Sequence, residues 1–203
     1  FIQTGEGQGN TALVRGSVCL VGKSLWGPQR IEQLNSYSPM TILPTFVEAL
    51  NFDHPLVIFE VITQLSTLVD KSCYDLRATG TDAVLSLVEM LLIAIPEKVQ
   101  RDATMKRNML TSVHNIISTF EKLILENTYV GSKHRFYSVV ERCYHQRPEY
   151  SVISLLIYRA NEIYPTRQGW IEALNELMEK YFHKETRPGV RMKALAIMMD
   201  VLR

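Results

Sequence analysis

The stretch with the most chemical promise runs from Arg15 to Gly27, RGSVCLVGKSLWG, where Gly22-Lys23-Ser24 follows Gly16. A phosphate-binding P-loop is a glycine, four residues, then Gly-Lys-Ser/Thr. Here the five residues Ser17-Val18-Cys19-Leu20-Val21 separate the glycines, and they are mostly apolar. A P-loop needs an exposed backbone at that point, so that successive N–H groups wrap the phosphates. It also needs a strand before the first glycine, and Thr11 to Arg15 is a poor one. Leu13, Val14, Ser17, Val18, Val21 and Leu25 recur at intervals of three and four, which predicts one face of a helix. Gly16 and Gly22 each cost such a helix about 1 kcal/mol relative to Ala, so the pattern predicts close helix contact at small residues. The spacing puts Gly22-Lys23-Ser24 on a scaffold helix. A nucleotide-binding module using the same three residues is the alternative of another class.

No other group of residues makes a recognisable site. The five histidines, His54, His114, His134, His145 and His183, are scattered, with no HExxH pair and no cysteine at ligand spacing. Cys19, Cys73 and Cys143 lie far apart, so neither a disulfide framework nor a zinc site is expected, and a reducing compartment is the natural setting. Lys133, His134, Arg135, Arg142, His145 and Arg147 form a basic neighbourhood offset by Glu141 and Glu149, which reads as a solvated helix face. It lacks the extended basic stripe of nucleic-acid binders. Glu141, Glu149 and Glu162 have no spacing that fixes two on one pocket wall, and no Gly-x-Ser-x-Gly elbow presents a serine. Trp26 and Trp170, in contact with glycines along the chain (Gly27 and Gly169), are expected to be aromatic plugs between helices. Arg147-Pro148 reads as a structural corner. No catalytic, metal or cofactor residue is expected.

The elements that carry these residues read almost entirely as helix. The chain has 203 residues, 46% of them hydrophobic, with a formal net charge of +1. A substantial core is therefore available, and no global field favours nucleic acid or an anionic membrane. Ser38-Pro39 and Asp53-His54-Pro55 are helix starts. Pro44 predicts a kink or restart. After Pro55, Ile58, Val61, Ile62, Leu65, Leu68 and Val69 form a stripe. Thr79-Gly80-Thr81-Asp82 is expected to break the chain before a helix over Ala83 to Ile95, ended by Pro96. Its apolar tract, Val84 to Ile95, is too short to span a bilayer. A long helix is expected from about Gln100 to Asn127, with Met109, Val113, Ile116, Ile117, Phe120 and Leu123 inward. Phe136, Val139, Val140 and Cys143 line the next; Val152, Leu156, Ala160 and Ile163 another. Trp170, Leu174, Leu177, Met178 and Tyr181 line a further helix, with Glu176 and Lys180 paired outside. Val190, Ala194, Ile197, Met198 and Val201 line the last, whose second apolar edge is Leu195, Met199 and Leu202. Nine or ten helices with short connections, at roughly 35–50 residues per pair, predict an all-α, HEAT/armadillo-like α-solenoid of antiparallel helix pairs. Residues 1–10 are expected to be a disordered or linker segment and 11–203 the solenoid. A start at Phe1 and an end in mid-pattern at Arg203 lead us to expect a fragment of a longer repeat domain.

Three longer stretches have a family likeness. LVRGSVCLVGKSLWGPQRIEQLNSYSPMTILPTF (Leu13 to Phe46), GSKHRFYSVVERCYHQRPEYSVISLLIYRA (Gly131 to Ala160) and GWIEALNELMEKYF (Gly169 to Phe182) resemble the N-terminal helical-repeat region of the tuberin family. The marks are Arg15-Gly16, Leu25-Trp26-Gly27, Arg30, Val140-Glu141-Arg142-Cys143, Gln146-Arg147-Pro148-Glu149, Tyr158-Arg159-Ala160 and Gly169-Trp170, in the family's order. From about Lys71 to Asn127 the likeness is only of helices. The Ral GTPase-activating complex subunits have a similar region and are the close alternative. The resemblance implies a non-catalytic α-solenoid that binds the coiled coil of hamartin. The complex acts as a GTPase activator for Rheb and restrains TOR-type growth signalling. It also implies a cytoplasmic location, extending to lysosomal or vacuolar membranes as part of the complex. Rheb is engaged through the family's C-terminal GTPase-activating domain, which nothing in these residues resembles.

Overall fold

A computed structural model describes residues 10–27, 39–52, 54–72, 76–146 and 166–201. Every element among them is helical: α1 (Thr11–Leu25), α2 (Pro39–Leu50), α3 (Pro55–Ser72), α4 (Ala78–Lys98), α5 (Ala103–Leu125), α6 (Lys133–Gln146), α7 (Arg167–Met178) and α8 (Pro188–Val201). The protein is all-α. It divides into two compact units, Phe1–Arg135 and Phe136–Arg203. The helix expected around Val152 to Ile163 lies outside the described residues.

In the first unit α1 packs on α3 and α3 on α5, while α2 packs on α4; consecutive helices also touch, from α1·α2 through α4·α5. Alternate helices run parallel. Arg15 faces Glu60 and, further along both helices, Gly22 faces Gln64. In the other pair, the start of α2 at Met40 lies beside Gly80 near the start of α4. At the far ends, the Lys98 ammonium donates to the Leu50 carbonyl at 3.1 Å. The core is the apolar face of each helix. In α3, Ile58, Val61, Ile62, Leu65, Leu68 and Val69 are all buried, as are Met109, Val113, Ile116, Ile117, Phe120 and Leu123 of α5.

Proline and glycine punctuate this unit less than their local chemistry predicts. Pro44 neither restarts nor ends α2; it lies inside the helix on its exposed side. Thr79 to Asp82 do not break the chain but form the first turns of α4, where Gly80 and Thr81 are buried. Close packing against Leu76 and Met40 outweighs the poor helix propensity of glycine there. Pro96 sits in the last turn and the helix continues to Lys98. At 21 residues α4 is therefore long and apolar enough to cross a membrane by length and composition, and half of that stretch is buried in the protein. A helix apolar on most of its circumference and packed on three neighbours is a core helix.

α5 has well-defined ends. The Asp102 carboxylate accepts from the Met105 amide at 2.8 Å, an N-cap. At the other end the Thr128 amide donates to the Leu123 carbonyl and the Asn127 amide to that of Ile124. Asn127 has φ of 55°, the left-handed conformation that this double closure requires. Arg135, the last residue of the first unit, donates to Glu89 at 2.6 Å and to Ser86 at 3.1 Å, both on α4. Arg135 is thus a tether to α4 and leaves the solvated basic face expected of it.

In the second unit Phe136, Tyr137, Val139 and Val140 of α6 are buried. α7 runs into a π-helical turn, Glu179–His183, which packs on both α7 and α8 and buries Tyr181 completely. The Arg191 guanidinium of α8 lies over the Phe182 ring, 5.1 Å from its centre. Val190 and Ala194 face inward as expected, and Leu195 and Met199 are exposed on the other edge of α8. Leu202 lies outside the described residues.

Candidate functional site

The end of α1 carries Gly22-Lys23-Ser24, so the junction of α1 with α3 is where any phosphate chemistry would have to occur. The three residues lie in the last turn of α1. Their amides belong to the helix ladder, and the free groups at that end are carbonyls, the negative pole of the helix. The Gly22 carbonyl accepts from the amides of both Trp26 and Gly27, at 3.0 Å each. A phosphate cradle needs the opposite pole, with N–H groups converging on the anion.

What the junction does hold is a buried polar network. Glu60 and Gln64, one turn apart on α3, are 6% and 3% exposed. The Gln64 amide donates to Glu60 Oε1 at 2.8 Å, and Arg15 Nε lies 3.5 Å from Glu60 Oε2. Trp26, 5% exposed, donates its indole N–H to the Gln64 carbonyl at 2.9 Å and meets Phe46 of α2 edge to face at 5.8 Å. The Glu60 carboxylate, the Gln64 amide N–H and the Trp26 indole each have a partner, which removes most of the cost of burying them. The sequence holds a signal for this network: two polar residues at i and i+4 on the otherwise apolar arc of α3. Periodicity alone reads past it.

The two glycines of α1 have opposite surroundings, and this corrects the expectation that both permit close contact. A Cβ at Gly22 would collide with Gln64 Oε1 and sit 2.6 Å from its Cγ, whereas one at Gly16 would meet nothing within 4 Å. Gly16→Ala is expected to raise stability by about 1 kcal/mol through helix propensity. Gly22→Ala is expected to lower it by about 1 kcal/mol net, because displacing a buried, bonded glutamine costs about 1–3 kcal/mol and outweighs the same propensity gain. Urea denaturation of the two variants checks the opposite signs; a gain at both would remove the close approach at Gly22.

Cys19 sits beside this network. Its partial burial and then the adjacent Glu60 carboxylate push the thiol above its ordinary range, with Lys23 pulling weakly the other way. The thiolate is the nucleophile. Iodoacetamide is therefore expected to alkylate Cys19 more slowly than a free cysteine peptide at pH 8.5, and Glu60→Gln to speed it. The raised value favours the folded state below the ordinary thiol range, and that contribution is lost as pH rises through the raised one. Equal rates for Cys19 and the peptide would refute the placement.

Of the family marks, Trp26 and Gly27 are buried at this junction, and Arg142 is exposed on α6. Glu141 lies on α6, and Gly169 and Trp170 in the first turn of α7; the side chains of Glu141 and Trp170 lie outside what is described. So do Arg30, Arg147, Pro148, Tyr158 and Arg159. Glu176 and Lys180 both line an open depression with Asn175, Glu179 and Lys184, none of which is buried. Among the described residues no group of His, Cys, Asp and Glu is arranged to hold a metal ion. A family model described as a domain of unknown function, DUF3384, matches residues 1–199.

Proposed function

The chain belongs to the DUF3384 family, and from that premise we propose that it is a HEAT/armadillo-like α-solenoid acting as a non-catalytic scaffold. One observation carries the reading: in the first unit α1 stacks on α3, α3 on α5, and α2 on α4. Antiparallel helix pairs laid side by side give that pattern. A closed bundle instead brings first and last helices together, and among the described helices no comparable packing joins α1 to α4 or α5. The position of Gly22-Lys23-Ser24 at the carbonyl end of α1 also favours a scaffold over a nucleotide-binding module.

The finer reading rests on the marks that resemble tuberin. On it, the chain is part of a tuberin-like protein that binds the hamartin coiled coil in a complex activating GTP hydrolysis by Rheb, which restrains TOR signalling. The helices supply surface and the family's GTPase-activating domain supplies the chemistry. The same reading puts the protein in the cytoplasm and, through its complex, at lysosomal or vacuolar membranes.

Pull-down of the purified chain on immobilised hamartin coiled-coil segments is expected to retain it. Titration with ATP or GTP is expected to give no binding at micromolar concentration. Failure of every hamartin segment to retain a folded chain overturns the partner assignment. Nucleotide binding abolished by Lys23→Ala moves the reading to the nucleotide-binding alternative.

A further inference from the structure

We draw no further inference here: the strongest candidate, the apolar flank of α1 where Leu13 and Leu20 are 53% and 66% exposed, carries nothing, because nothing in the structure shows what covers it.

Discussion

Trp26→Ala is expected to destabilise the first unit by about 3–5 kcal/mol, the range for truncating a buried large aromatic. The indole is a wedge at the point where α1 meets both α2 and α3, with Phe46 against its edge and the Gln64 carbonyl on its nitrogen. Removing it leaves a cavity that three helices must close together. The hydrogen bond adds about 1 kcal/mol to the loss. Trp26→Phe removes the donor while keeping a six-membered ring in the wedge, so its loss sets an upper limit on the hydrogen-bond contribution. A double-mutant cycle with Phe46→Ala is expected to show a coupling of about 0.5–1.5 kcal/mol for the aromatic pair. Chemical denaturation followed by circular dichroism gives these quantities. A Trp26→Ala protein within about 1 kcal/mol of the parent would show that the wedge is not filling the junction.

Phe120→Ala is expected to cost a similar amount, about 3–5 kcal/mol, and to loosen a specific loop. Phe120 is fully buried in α5, and its ring meets Tyr129 edge to face at 6.1 Å. Tyr129 follows the left-handed Asn127 and donates its amide back to Leu123 at 3.1 Å. One ring thus supports both the helix core and the turn that ends the helix. Amide hydrogen exchange at Thr128 and Tyr129 is expected to accelerate more than exchange in the middle of α5, whose ladder is internal to the helix. Uniform acceleration along α5 would mean that the turn does not depend on the Phe120 ring.

The apolar stripes were legible because buried helical faces repeat at 3.6 residues. Every residue the spacing names for α3 and α5 is buried, while Val57, Leu110 and Ile124 are buried as well and fall outside the named stripes. Breakers were read too strongly. Gly80 and Pro96 predict ends by local propensity, but burial of α4 on three sides overrides a cost of about 1 kcal/mol at Gly80. Leu13 was placed on the inner face of α1 and is instead half exposed, because the helix meets its neighbours through Val14, Val18 and Gly22. The candidate site was legible only by elimination. Spacing argued against a P-loop at Gly22, and the structure adds the direction of the helix end. The Arg15–Glu60–Gln64 network is half legible: Glu60 and Gln64 interrupt the apolar arc of α3, but Arg15 comes from a second helix whose register no single-helix pattern encodes. Asn127 carried a turn signal that a run of helical residues masks.

The parallel stacking of alternate helices also sets a clock. The bonds that tie α1 to α3 and α2 to α4 close stretches of 38 and 48 residues. Closure entropy grows only with the logarithm of loop length, so these closures differ by about 0.2 kcal/mol. α1 and α2 therefore find α3 and α4 at nearly the same entropic cost. On a ribosome adding about 5–20 residues per second, a partner that lies some 40–50 residues ahead emerges within roughly 2–10 seconds. The face through which a newly made α1 or α2 meets its partner stays uncovered for about that interval.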